Sequence, residues 1–71
     1  MPIEMRSVFS SNVDEIGYDQ ETEELHVKWT SGKTSIYGPG VSPDVAEQTM
    51  NAFSVGQAVR AIKGSYPHRY A

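Results

Sequence analysis

The sequence contains no cysteine. That removes disulfides, thiolate nucleophiles and cysteine metal sites together. It has no apolar run near the roughly 20 residues that a membrane span requires. It also lacks a charged opening followed by an apolar stretch, the mark of a secretory signal. These absences lead us to expect a cytoplasmic protein with no membrane association. Histidine is scarce: His26 and His68 lie 42 positions apart, with no metal-ligand spacing between them. Ser10, Ser11, Ser31 and Ser35 have neither a G-x-S-x-G context nor an evident base. Gly38-Pro39-Gly40 lacks the lysine and helix of a phosphate-binding loop and reads as a turn. The carboxylate pairs Asp14-Glu15 and Glu23-Glu24 sit in or beside turns and read as solvated. No convergent nucleophile, base and orienting group can be named, so we expect no enzyme, no metal and no cofactor.

What remains is 71 residues, 38% of them hydrophobic and 21% charged. That suits one globular domain with no room for a second core. At this size folding buries only about 60% of the unfolded chain's surface, so each large apolar residue matters. The charge is divided. Residues 1–53 carry all nine acids against three bases, a net of −6, whereas residues 54–71 carry Arg60, Lys63 and Arg69 with no acid, a net of +3. The whole repels polyanions at long range, but a local basic face can still hold a phosphate.

Residues 1–7 read as an extended lead-in and residues 8–71 as a single domain, with Val8 and Phe9 candidates to dock on the core. Ser10-Ser11-Asn12 is a turn cluster. Residues 13–19, VDEIGYD, read as a first strand, with Gly17 marking a bulge or close backbone approach. Residues 24–30 carry the clearest pattern: Leu25, Val27 and Trp29 alternate with His26 and Lys28, giving one apolar and one basic face. On this pattern Trp29 belongs to the core and His26 to the exposed face. Residues 30–33, with Gly32 free to take positive φ, form a hairpin turn into a third strand at 34–37. There Ile36 is the aliphatic residue. If it faces the core, Ser35 and Tyr37 lie on the open face with His26 and Lys28.

Ser42-Pro43 reads as an N-cap followed by proline at the first helical position. Val45, Ala46, Thr49, Met50 and Phe53 follow at helical spacing. Ser54, with Gln57 three residues on, reads as a capping box opening a second helix. Its stripe is Val55, Ala58, Val59 and Ile62, and Gly64 ends it. The expected architecture is α+β: a three-stranded antiparallel meander followed by two short helices packed on one face. The sheet edges of such a fold could pair in a dimer, and the sequence leaves the oligomeric state open.

Several of these pieces, in this order and spacing, resemble the KTSC domain family, a module named for the C-terminus of some lysyl-tRNA synthetases. It also occurs as a free-standing bacterial or phage protein. The resemblance spans about residues 8–70. It rests on Ser10-Ser11-Asn12, Ile16-Gly17-Tyr18-Asp19, Leu25-His26-Val27-Lys28-Trp29 and Ser31-Gly32, then on Ser54-Val55-Gly56-Gln57, Ile62-Lys63 and Tyr66-Pro67-His68-Arg69-Tyr70. The chain departs from the family at Ser35, where the resemblance implies the first tyrosine of a Tyr-x-Tyr pair, leaving Tyr37 alone. It departs again at Val59 and Arg60, in place of an aromatic and an asparagine. The resemblance implies RNA binding, a suggestion weakened by the loss of one strand aromatic.

Two functions are therefore carried forward. The first is a small non-catalytic module that binds RNA weakly. Arg60 and Lys63, on one helix surface, and Arg69 and Lys28 would meet phosphates; Tyr37, Tyr66 or Tyr70 would stack on bases; His68 would add a nitrogen donor. The second is a protein-interaction module, such as a phage or prophage accessory protein, that uses the acidic sheet edge or an apolar patch near Phe9 and Phe53. A plainer alternative to both is a C-terminal segment that packs Tyr66 on the core and leaves the rest solvated.

Overall fold

The alternation of Leu25, Val27 and Trp29 produces the strand it predicts, and that strand is the centre of the molecule. The computed structural model describes residues 5–8 and 10–71. Phe9, expected to dock beside Val8, lies outside them. Five strands follow in chain order: β1 (Arg6–Ser7), β2 (Val13–Asp19), β3 (Glu24–Trp29), β4 (Thr34–Tyr37) and, after the helices, β5 (His68–Tyr70). They form one sheet in the order β1-β2-β3-β4-β5, every neighbouring pair antiparallel. The expected meander of three strands is its middle. The two added strands are two and three residues long, too short to show a period-2 pattern in the sequence. β1 includes the end of the stretch read as a lead-in.

The hairpin between β3 and β4 is as expected. Gly32 takes φ +96° and its N–H bonds the Trp29 carbonyl at 2.9 Å. The turn between β2 and β3 is held by Asp19, whose Oδ1 accepts the Glu21 N–H at 2.9 Å. The register shift in β2 falls between Val13 and Glu15 rather than at Gly17, which pairs regularly with His26.

Helix α1 (Pro43–Met50) begins where Ser42-Pro43 predicts, with the Ser42 hydroxyl accepting the Val45 N–H at 3.3 Å. It ends before Phe53, which projects fully into solvent between the helices instead of continuing the apolar stripe. Helix α2 (Val55–Lys63) is a separate helix with Ser54 at its N-cap, but the Ser54 side chain makes no capping bond, so the capping box is not formed. Val55, Val59 and Ile62 are buried.

The core lies between one sheet face and the two helices. Val13, Ile16, Leu25, Val27 and Tyr37 from the sheet meet Val41 from the loop before α1, Ala46 from α1, and Val55, Val59 and Ile62 from α2. Cross-strand partners share a face, and Leu25 pairs with Tyr37 while Val27 pairs with Ser35. Ser35 and Tyr37 therefore face the helices. Ile36 is on the open face, between His26 on β3 and Arg69 on β5. The arrangement with Ile36 toward the core, which would have put Ser35 and Tyr37 on the open face, is not the one adopted. Ile36, although on the open face, is only 7% exposed.

An aromatic, cationic cleft between helix 2 and the sheet

Helix geometry places Gly56, Val59, Arg60 and Lys63 on one face of α2, because positions three and four apart are neighbours. That face looks along β4 and β5, and between them lies a cleft of about 440 Å³. Its floor is Val59, Ser35, Tyr37 and the half-buried ring of Trp29. Arg60 and Lys63, both exposed, form the helix-side rim. His68 and Tyr70 form the opposite rim, since alternation along β5 turns both to the helix side of the sheet. Asn12, Thr30 and Ser31, from two neighbouring turns, close one end. Among the described residues, no carboxylate lines the cleft, although the chain carries nine.

The aromatic groups are ordered against one another. The His68 imidazole stacks on Tyr37 with ring centroids 5.6 Å apart and planes 25° from parallel. It meets Tyr70 edge to face at 6.0 Å. The Trp29 indole N–H donates to the Ser35 hydroxyl at 2.8 Å, which fixes the indole's orientation. Serine at position 35, a departure within the resemblance, is thus small enough to sit buried beneath the indole and polar enough to hold it. Burial pushes the Tyr37 phenol above its ordinary pKa, with the Ser35 hydroxyl opposing, so Tyr37 is neutral at physiological pH.

Of the residues proposed from sequence, Arg60, Lys63, His68, Tyr70 and Tyr37 converge on this cleft. Three do not. Tyr66 packs half-buried against the core and is not part of the lining. Arg69 points to the opposite sheet face, where its Nη1 donates to Glu24 Oε2 at 2.6 Å. Lys28 is also on that face, its Nζ 3.7 Å from Glu15 Oε2. Trp29 and Asn12, like Thr30, Ser31 and Ser35, also belong to the cleft and lie outside the proposed set. Period 2 gave the face of Trp29 correctly, but a position at a strand end leaves a core residue half open. Asn12 carries no sequence signal beyond its turn.

The opposite face corrects two other expectations. Glu24, read as solvated, is buried, and the bond from Arg69 holds its carboxyl below the ordinary range against the upward push of burial. His26, read as exposed, is half-buried with Nε2 buried and unbonded; burial lowers its pKa. Among the described residues, no group of three metal-ligating side chains could hold an ion, and no helix is long and apolar enough to cross a membrane.

Comparison with known proteins agrees with this architecture. No curated protein matches the chain. The crystal structure of a KTSC domain protein from Yersinia pestis is similar over 99% of both chains, with a TM-score of 0.89 and 28% sequence identity. The KTSC domain itself matches residues 9–66, a stretch that contains β2, β3, β4 and both helices, and the chain belongs to the KTSC domain family.

Proposed function

We propose that the chain is a small non-catalytic module that binds single-stranded nucleic acid, RNA foremost, through the cleft between α2 and the sheet. One observation carries this reading: on a chain with nine carboxylates, the described residues gather four aromatic rings and two cations into a cleft that contains none. Stacking on aromatic faces is the sequence-tolerant way to hold an unpaired base, and flanking cations hold its phosphate. The appended relatives that the family name refers to make RNA the natural polymer. On this reading the module works in the cytoplasm of a bacterial cell, encoded by the host or a phage. The test is an NMR titration with short unstructured RNA at low salt. Shifts are expected at Trp29, Tyr37, Arg60, Lys63 and His68, and their absence at millimolar RNA overturns the reading.

A second reading, a protein-interaction module, is favoured by Phe53, whose ring stands wholly in solvent between α1 and α2. It predicts a partner whose binding is lost in Phe53→Ser and kept in Lys63→Glu.

A further inference from the structure

The geometry points to a cleft that accepts one unpaired nucleotide, its base against the open rings of Trp29, His68 and Tyr70 and its phosphate on Arg60 and Lys63, rather than a track along an extended strand. The inference rests on the nucleic-acid reading and narrows it.

Three features define the footprint. The first is size. At about 440 Å³ the cleft lies near the lower end of the range that holds small ligands, roughly 300–1,000 Å³. The second is the arrangement of rings. Proteins that track a single strand present successive aromatic platforms along a groove. Here Trp29, Tyr37, His68 and Tyr70 all border one cavity, and two of the rings are already in contact with His68. Of the remaining tyrosines, Tyr18 donates its hydroxyl to the Val41 carbonyl and Tyr66 packs on the core, so neither extends the platform.

The third feature is charge. The cleft's two cations sit on a protein of net −3. The net charge repels a long polyanion at long range, whereas a single nucleotide keeps its charge beside Arg60 and Lys63. Polar groups suited to base edges occupy one end of the cleft. The Asn12 amide presents both donors and an acceptor, and the hydroxyls of Thr30 and Ser31 present either. A base in a duplex is stacked on both faces and cannot enter, so the occupant is a free nucleotide, a strand end or a bulged residue.

Trp29 is the only tryptophan, so its fluorescence reports on the cleft without a label. The probes are adenosine 5′-monophosphate, adenosine, inorganic phosphate and an eight-residue oligoadenylate, each titrated into the full chain at low salt. We expect the nucleotide to quench Trp29 with half-saturation at about 1 mM, in keeping with one stacked base and one paired phosphate. Adenosine should bind more weakly, and phosphate should leave the emission unchanged. Lys63→Glu should weaken nucleotide binding about tenfold, the scale of losing one charge-assisted contact. Lys63 is exposed, and an unchanged circular dichroism spectrum will verify the fold. The oligomer should gain only the statistical factor of its number of sites. A steep further rise in affinity with length would refute the single-nucleotide footprint and leave nucleic-acid binding standing. Quenching by phosphate alone would make the cleft a plain anion site. Binding of neither nucleotide nor oligomer, at concentrations up to tens of millimolar, would remove the nucleic-acid reading itself.

Discussion

Arg69 and Glu24 are 45 positions apart and two strands apart, yet the guanidinium reaches across β4 to put Nη1 2.6 Å from the carboxylate. Arg69 pairs with Ile36 in the ladder, so the ion pair lies on the same open face of the sheet as that isoleucine. Its consequence lies on the other side of the sheet. β5 is three exposed residues at a sheet edge, joined to β4 by its ladder and by two flanking bonds, Gly38 N–H to Pro67 O at 2.7 Å and Ala71 N–H to Thr34 O at 2.9 Å. Alternation puts Arg69 on one face and His68 and Tyr70 on the other. The ion pair thus pins the strand that supplies one rim of the cleft.

Breaking that pin should loosen β5 before anything else. In Arg69→Ala, amide exchange at Gly38 and Ala71 should speed up while amides in β2 and β3 stay protected, because the edge strand opens locally without unfolding the centre. The His68 ring should lose its ordered contact with Tyr37, seen as altered ring-current shifts. Uniform loss of protection across all strands would show that β5 is integral to global stability and not a separately opening edge.

The same face sets the response to acid. Burial lowers the pKa of His26 below its ordinary 6.5. The unfolded chain therefore takes up that proton first, and stability falls as pH drops from 6.5 toward the lowered value. Glu24 has its carboxyl lowered by Arg69 from an ordinary 4.5. Its contribution is complete above 4.5 and is lost as pH falls through the lowered folded value. Melting temperature against pH should decline in two stages. His26→Gln should erase the upper stage, and Glu24→Gln should shrink the lower one while destabilising β5 at neutral pH, leaving the share of Asp19, whose carboxyl is held below its ordinary range, against the upward push of burial, by the Glu21 and Thr22 N–H groups. A profile unchanged in either variant would contradict the assignment of that stage.

Two glycines with positive φ should respond differently to alanine. Gly32 at φ +96° has nothing within 4 Å of where a Cβ would stand, so Gly32→Ala should cost only the left-handed penalty, about 1–2 kcal/mol. Gly38 at φ +124° would place a Cβ 2.7 Å from the Glu23 carbonyl oxygen and 3.2 Å from Glu24 Cα, both backbone atoms. That oxygen is itself held by the Val41 N–H at 3.0 Å and cannot yield freely. Gly38→Ala should therefore cost about 3 kcal/mol or more. Chemical denaturation of the two variants measures the difference, and equal losses would contradict it.

Trp29 should show a split between packing and orientation. Trp29→Phe keeps a ring at the edge of the core but removes the indole donor to Ser35, which should cost about 1 kcal/mol. Trp29→Ala removes the ring from a half-buried position and should cost about 3 kcal/mol, the lower end for aromatic truncation. Near-wild-type stability of the alanine variant would make Trp29 a surface residue held for binding alone.

These relationships show what the sequence could and could not carry. β3, both helices and the shared face of Arg60 and Lys63 were legible because each rests on local periodicity. The joining of His68 and Tyr70 to those cations was legible in part, since Gly64 ends α2 and lets the chain return. The fate of Arg69 was not. Its role depends on an acid two strands away, and a basic residue between two aromatics reads as one cluster until a strand divides it between faces. The face of β4 was undetermined in the sequence for the same reason. Ile36 is the expected core residue on hydrophobicity, but it is covered from the open side by groups brought there by long-range pairing. β1 and β5 are too short for any pattern.

The division of the basic residues between two faces gives the last prediction. If all of Arg60, Lys63 and Arg69 met phosphates, log K for a single-stranded RNA would fall with log salt at a slope near −2, from about 0.7 per contact. Arg69 is committed to Glu24, and Lys28 lies beside Glu15 on the same open face. Only Arg60 and Lys63 remain at the cleft, and because both hold the one phosphate of the bound nucleotide the slope should be near −0.7. Arg60→Glu combined with Lys63→Glu should abolish binding. Lys28→Glu should leave affinity within about twofold, because a charge on the far face is separated from the bound phosphate by the sheet and screened by salt over about 10 Å. Salt-dependent titrations of the wild type and these variants read both quantities at once. A slope of −2 or steeper, or a loss in Lys28→Glu as large as in the double variant, would move the binding surface from the cleft to the open face of the sheet.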